Sequence, residues 1–583
     1  MRRAASAFLM GLLLPLAAYA GTGEPDAGMA VPAVQEGGRV KPLDTLAREF
    51  FQALTGSERF RSPPAGASEG TPMEPLPADR VMALLRLVAL DEERLVDLPL
   101  FPVLHEELRA RLDVPRAVRF VSVRKVRGDP DNTLLANEVA TALRSPDTAL
   151  TPLQAKWREL DRRIESLRIL KQEGGALFLV PPRGVCEGAW GRLTDPAPGE
   201  DGEEEADVER IRAAAGLCLQ AAFRTDEAAW RDALAALASA QAARAGPSWP
   251  AAALGREARY HRVAPYRIAS WGYLAACLAS LAAVWTRRGA LRAASLVLLV
   301  SSLGLHLYGF VLRWMFQGHV PLSNLYEALA MMSAGVALWA FVLECVFRSG
   351  WISLVASLLA SGILALVHAI PVLNPHPDVI LPALQSWWMR YHVSCMVIGG
   401  YGGGGVAFGL AHLYLLSYLF RPSASAFRAS LERHLYWAMT IAVTCIGIGL
   451  CLGAAWANEA WGRYWGWDPK ETWGLVTLLG YVLFLHLRLL GVVRGLGMAC
   501  GALFGFALVM MTVYGVNLIG KGLHAYGFFE GGWGPLFGFY SAEAALVGAC
   551  GVASYVREKG TRVPGTRTPD AGRRTPDPGR SAG

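Results

Sequence analysis

Between Arg267 and Val556 the chain alternates long apolar segments with short polar loops, and this alternation limits the possible folds more than any other feature. Nine segments, at about 268–285, 293–314, 325–347, 351–370, 391–420, 435–456, 472–491, 496–520 and 537–556, approach the roughly 20 residues a helix needs to cross a bilayer. Backbone in lipid finds no water to bond, so such segments are expected as helices. The residues before Arg267 differ in kind. Of the 583 residues 18% are charged, but unevenly: 37 acids and 34 bases precede Arg267, and 12 acids and 22 bases lie from Arg267 onward. A single soluble globule is excluded. The basic excess lies beside apolar runs, where it orients a membrane protein, so the high pI gives no reason to expect nucleic acid as a partner.

Arg2 and Arg3 precede the apolar run Ala4 to Ala17, and Ala18-Tyr19-Ala20 stands before Gly21. This pattern predicts a secretory signal peptide over residues 1–20, with an uncleaved anchor helix as the alternative. Both place residues 21–266 outside the cytoplasm. Threading the nine segments from that side sends Arg287, Arg288, Arg292, Arg348, Arg421, Arg428, Arg433, Arg488, Arg494, Arg557, Lys559 and Arg562 to inner loops. Only Arg313, Arg390, Arg463, Lys470 and Lys521 fall outside. The positive-inside rule therefore agrees with the signal peptide. The expectation is an all-α polytopic membrane protein of about nine transmembrane helices, preceded by a mainly helical exported soluble domain over 21–266. The membrane domain spans 267–556, and a disordered cytoplasmic tail covers 557–583.

Within the exported stretch, Pro42 to Leu54, Ala78 to Leu90, Leu153 to Leu170 and Val208 to Ala222 have helical apolar spacing. Arg119 to Val126 and Ala176 to Val180 are candidate strands. Pro/Gly-rich loops are expected near Arg61 to Pro77 and Pro181 to Gly184. The acidic run Pro196 to Glu209 reads as a solvated loop. Cys186 and Cys218 are either a disulfide or two buried thiols. His105 and His261 have no companions at ligand spacing, and no catalytic constellation is present in this stretch.

Four outer loops carry the unusual chemistry: Arg313 to Glu327, the stretch from NPHP to His392, Trp456 to Trp473, and Asn517 to Gly527. The third holds Trp456, Trp461, Trp465, Trp467 and Trp473, interleaved with Gly462, Gly466 and Asp468. Interfacial belts enrich tryptophan, but this density exceeds a belt. Indole faces offer flat apolar area with an N–H handle, and glycines let backbone approach a flat ligand. Together they suggest a shelf for a planar macrocycle. A porphyrin also needs axial ligands and partners for its carboxylates. His392 and His524 lie outside, before and after the helices that flank the shelf, and neutral imidazole is a common haem-iron ligand. Arg313, Arg390, Arg463 and Lys470 are available for carboxylates. His486 lies roughly 21 Å down the seventh helix at 1.5 Å per residue, and a histidine at that depth is a functional candidate. For His306 and His412 a satisfied interhelical hydrogen bond is expected, with a second, deeper haem position as the alternative.

WGRYWGWDPKETW resembles the tryptophan-rich (WWD) signature of the haem-handling superfamily of cytochrome c assembly. With GHVPLSNLYE, a histidine before the fifth helix, LHLR closing the seventh and GKGLHAYG after the eighth, the chain looks like a System II subunit of CcsA/ResC type over about residues 300 to 556. The resemblance implies a bacterial inner-membrane synthase (lyase) subunit with its site on the periplasmic side. It implies haem b as bound substrate, ligated by His392 and His524, with His486 matching the family's intramembrane histidine. The implied partners are a ResB-like subunit, apocytochrome c with its C-x-x-C-H segment, thiol-reducing thioredoxin-like proteins and membrane lipid. The alternative in the same superfamily is a haem delivery or export protein that does no chemistry. The chain has no C-x-x-C of its own. Residues 1–266 show no further spanning segments, so the ResB-like part is expected on another chain. GGRVKPLDTLAREFF, Gly37 to Phe51, resembles an N-terminal extension of some family members.

Overall fold

The computed structural model describes residues 31–561 apart from 56–78, 104, 117, 129, 145–150, 173–176, 197–201, 371–374, 378–379, 381, 520–521 and 523–532. The expected signal peptide, the Arg61 to Pro77 loop, His524 and most of the expected tail lie outside the described residues. Among the described residues nine helices are long and apolar enough to cross a membrane. They are Ala251–Thr286, Gly289–Gln317, Leu325–Phe347, Trp351–Ala369, Trp387–Phe420, Ser425–Trp461, Pro469–Leu489, Leu496–Ile519 and Gly534–Arg557. The protein is thus an all-α polytopic membrane protein with a mainly helical soluble part. Two compact units are present: Met1–Ile398 with Cys451–Tyr464, and Gly399–Leu450 with Trp465–Gly583.

The first unit opens with a hairpin that helical periodicity did not announce. Strands β1 (Ala33–Glu36) and β2 (Arg39–Pro42) pair antiparallel across Gly37 and Gly38. Both glycines have positive φ, +59° and +78°, which a two-residue turn of this hand requires. Helix α1 (Leu43–Thr55) follows at once. Its Leu43, Leu46, Ala47, Phe50, Phe51 and Leu54 form one apolar stripe, and all are buried. Helix α2 (Arg80–Ala89) starts at Asp79, whose carboxylate caps the amides of Val81 and Met82.

Strand β3 (Phe101–Pro102) pairs with β4 (Phe120–Val121). The strand expected over Arg119 to Val126 stops at Val121. There the Ser122 hydroxyl accepts from Lys125 N at 3.2 Å and starts a short helix instead. After helix α3 (Pro152–Gln172), β5 (Phe178–Val180) and β6 (Gly191–Arg192) complete a sheet of order β2-β1-β5-β6. The acidic run is not a loop throughout: helix α4 (Gly202–Arg224) begins inside it. Glu203, Glu204 and Glu205 occupy the first turn, where carboxylates meet the positive end of the helix dipole. Helix α5 (Glu227–Ala245) packs beside α4. Cys186 and Cys218 are free buried thiols in separate apolar clusters, and burial pushes the Cys218 thiol up to about 12.

The first spanning helix runs through the expected domain boundary, beginning at Ala251 rather than near 268. It is split at Ala264, which adopts φ +48° just before Pro265. Proline supplies no N–H and its ring crowds the preceding turn, so the axis breaks there. Small hydroxyl residues join the first four spans. Ser270 Oγ donates to Ser361 O at 3.1 Å, and Ser361 Oγ donates to Ser270 O at 2.9 Å. Ser333 Oγ reaches Ala360 O at 2.9 Å. Such bonds hold helices together where lipid removes the hydrophobic drive.

In the second unit small residues again set the packing. A Cβ at Gly404 would lie 2.8 Å from the Tyr481 hydroxyl, and one at Gly399 would lie 2.7 Å from Cys445 Cβ. Thr477 and Thr512 hydroxyls meet at 2.9 Å, and Thr512 Oγ1 also donates to Trp473 O at 3.1 Å. Two spans carry wide π-helical turns, at Cys395–Tyr401 and Met511–Gly515. Such turns recur at functional sites. The first begins three residues after His392.

Candidate functional site

The tryptophan-rich segment is built by the end of one helix and the start of the next. Helix Ser425–Trp461 stops at Gly462, whose φ of +70° lets its N–H return to Asn458 O at 3.0 Å. The following helix opens with Asp468 as its cap, Pro469 in the first turn and Glu471 closing a capping box. Glu471 Oε2 also accepts from Gly466 N at 2.8 Å and from Asp468 N at 3.3 Å. The D-P-x-E part of the signature therefore folds the turn. Asp468 is 6% exposed, and its carboxylate serves the backbone rather than standing free for a ligand. Trp467, at φ +55°, is held in a left-handed conformation costly for a bulky residue. It is 70% exposed and meets Trp465 edge-on at 5.8 Å. The buried Trp465 Nε1 has no acceptor among the described residues.

In the first unit the parts differ in role. Trp456 is 1% exposed, and its Nε1 donates to Ala383 O at 2.8 Å. It presents no open face, which corrects the picture of five equivalent shelf tryptophans. Instead it backs His392: the two rings lie nearly parallel, 12° apart, with centroids 6.0 Å apart. Trp461 meets Trp456 edge-on at 6.2 Å, and its own Nε1 is buried without an acceptor among the described residues. Gly453, one turn before Trp456, forms the floor under the imidazole. A Cβ there would come within 2.6 Å of His392 Cε1 and 2.7 Å of Nδ1. Sequence reading missed Gly453; its only signal was an i, i+3 spacing to Trp456. The helix Trp387–Ser394 that presents His392 is capped by Ser386, whose Oγ also donates to Glu459 at 2.9 Å.

Beside His392 lies a cavity of about 330 Å³ between Gln317–Ser323 and Ile380–Val393. Met389, Arg390 and Val393 line it from the helix that carries His392. Arg390 sits 5.4 Å over the Trp387 ring and has no carboxylate partner among the described residues. The Gln317 Oε1 acceptor on the same wall is buried and unpaired among them. Two other cations expected for carboxylates are already engaged. Arg313 pairs with Glu327 at 2.8 Å in full burial, and Lys470 Nζ donates to Asn517 at 3.3 Å.

The three histidines within spans separate cleanly. His306 is buried, with Nδ1 3.3 Å from Tyr273 Oη. His412 bonds Phe408 O at 2.9 Å and Glu543 at 3.2 Å. His412 fits the expectation of a satisfied bond, whereas the buried Nε2 of His306 has no partner among the described residues. His486 is exposed on its helix, with Nδ1 2.9 Å from Val482 O, which directs Nε2 outward. Gly522 packs its backbone directly on the Asp468 carboxylate and Pro469, at φ +95°. The stretch two residues before His524 is thereby fastened to the tryptophan turn.

These features belong to a polytopic membrane protein. Residues 322–524 match the family model described as cytochrome C assembly protein. The chain is 33% identical over 271 residues to the cytochrome c biogenesis protein CcsA of Nicotiana tomentosiformis, covering 38% of this chain and 80% of that protein. It is 37% identical over 229 residues to the protein of the same name from Chlamydomonas reinhardtii, covering 64% of it. To the protein NrfI of Wolinella succinogenes it is 37% identical over 228 residues, covering 25% of that longer protein. The chain belongs to the cytochrome c assembly protein family.

Proposed function

We propose that the chain is the membrane subunit of a cytochrome c synthase, holding haem b as substrate at the outer membrane face while its vinyl groups react with an apocytochrome. The carrying observation is the seating of His392: a half-buried imidazole, stacked on a buried tryptophan and floored by glycine. A ligand held this way is preorganised, so little ordering remains on binding iron. His524 is proposed as the second axial ligand, supported by the Gly522 contact beside it. Trp465, Trp467 and Trp473, with Gly462 and Gly466, are proposed to lie along the porphyrin plane. Asp468 shapes their turn.

The reaction itself needs no redox change in the protein. Each thiol of the C-x-x-C-H segment adds across a vinyl C=C: a C–S bond forms, and the thiol hydrogen ends on the neighbouring vinyl carbon. The haem brings the reactive groups, and the chain brings position. The outward Nε2 of His486 fits a partner chain, proposed as ResB-like, completing a second haem position within the membrane. The periplasmic side of a bacterial inner membrane is the proposed location of the site and the exported domain. Apocytochrome and its thioredoxin-like reductants are the proposed soluble partners.

Absorption spectra of the detergent-purified chain test this reading. Wild type should carry haem with paired low-spin bands, and His392→Ala and His524→Ala should each alter them. Haem whose bands survive both substitutions, or no haem at all, would overturn the assignment. Haem bound and ligated as expected, with no thioether formed when the proposed partner and a reduced apocytochrome are supplied, would leave delivery as the function.

A further inference from the structure

The exported domain has so far had no part in the site. Its first motif, GGRVKPLDTLAREFF, forms β1, β2 and α1, and the polar residues of these elements point at the outer ends of the first spans. Arg39 pairs with Glu257 of the first spanning helix, and its guanidinium sits 6.0 Å over the Phe316 ring at the end of the second. Lys41 pairs with Glu49 on α1. One turn further along α1, Gln52 Oε1 lies 2.7 Å from His376 Nε2, and Glu49 Oε1 lies 3.6 Å from His376 Nδ1. An amide oxygen only accepts, so Nε2 carries the hydrogen.

His376 belongs to the loop that leads to His392. It is 6% exposed, an unusual burial for a loop histidine. The neighbouring Pro375 carbonyl accepts from Arg313 Nη1 at 2.6 Å, and Arg313 is itself locked to Glu327. Residues 375–376 are therefore gripped from the membrane side by Arg313 and from the soluble side by α1. Further along the same loop, Ala383 O holds the Trp456 indole, and Ser386 caps the helix of His392. The loop is thus pinned at its start by the exported domain and at its end by the residues around the ligand histidine.

We propose that the exported domain is a positioning element for this loop: Gln52 of α1 holds His376, and through it the approach to His392. The proposal rests on His392 being a haem ligand. Gln52 and His376 are positioning residues, because they touch neither iron nor the reacting atoms.

The test uses the full-length chain in detergent, loaded with haem, with dissociation read by transfer to excess apomyoglobin. Gln52→Leu removes the acceptor and should speed haem loss roughly tenfold, the scale of one lost hydrogen bond. His376→Asn should do the same, with the double variant no worse than either single one. Gln52→Glu keeps an acceptor and should restore the wild-type rate and band positions. Size-exclusion profiles and far-UV spectra must match wild type, so that a spectral change reports ligation rather than folding. Wild-type rates and bands in both single variants would overturn the positioning role. His392→Ala, run alongside, separates the two readings. If it leaves the haem spectrum unchanged, the ligand assignment fails and this proposal with it. If it changes the spectrum while Gln52→Leu and His376→Asn do not, only the positioning role fails.

Discussion

His392 and Gly453 are matched as ring and floor: the imidazole occupies the space that any side chain at 453 would need. Gly453→Ala should therefore push the ring off Trp456, and Gly453→Val should push it further. Overpacking of this kind costs about 1–3 kcal/mol. If His392 ligates haem as proposed, the haem bands should broaden or shift with Gly453→Ala while the protein still folds. Spectra identical to wild type would show that the seat tolerates movement.

The Arg313–Glu327 pair is almost wholly buried, with side chains 1% and 0% exposed. Removing one partner strands a charge away from water, at about 3–5 kcal/mol. Arg313→Met or Glu327→Gln should each lower the unfolding midpoint sharply, whereas the double apolar variant Arg313→Met with Glu327→Leu should recover most of the loss. Equal damage from single and double variants would place the cost in the lost contacts to Pro375, Gln317 and Ser323.

Arg390 faces the cavity beside His392 without a carboxylate partner among the described residues. If it receives a haem propionate, the wild-type chain should prefer haem to its dimethyl ester by about tenfold, as expected for a charged hydrogen bond. Arg390→Ala should erase that preference without altering the axial bands. A preference that survives the substitution assigns the carboxylate to another residue.

His376 is pushed from 6.5 to about 3, first by burial and then by the charges of Arg313, Lys41, Arg39 and Arg48. His261 and Glu49 also face this cluster, and burial raises the Glu49 carboxyl. A folded pKa below the unfolded one means that the unfolded chain binds more protons between about 6.5 and 3, so stability falls as pH falls through that window. The slope from this group is at most about 1.4 kcal/mol per pH unit. Glu49 acts oppositely, gaining its proton earlier in the folded chain, and blunts the loss at the acidic end. Thermal unfolding from pH 7.5 to 5 should show a steeper decline in wild type than in His376→Asn. Parallel declines would contradict the buried, neutral state of His376.

Much of this architecture was legible because lipid permits so few backbone solutions. All nine spans appear near their expected places, since their periodicity and length leave no competing reading. The tryptophan turn was legible as a motif but not in its division of labour. Nothing in the order of residues says that Trp456 is a buried support while Trp467 stands open. That follows from Ala383, whose carbonyl accepts from the Trp456 indole, and from the His392 ring lying parallel to it. The β1–β2 hairpin was missed because four-residue strands leave too short an alternating signal. The acidic start of α4 was misread because charge alone does not distinguish a solvated loop from the first turn of a helix. Arg313 was taken as a free cation; its partner Glu327 was visible 14 residues on, but proximity across a turn is not a spacing rule.

The contact between Gln52 and His376 joins residues 324 positions apart. It carries a consequence for the order of biogenesis. The segment that carries α1 precedes every span and can fold early, yet its partner loop follows the fourth span. Until that span has been inserted and its loop brought to the side that holds α1, Gln52 lacks His376 and the path to His392 is unanchored. Completion of this loop thus reports that the first four spans have been threaded correctly, so an arrested or inverted insertion intermediate would lack an ordered seat for His392.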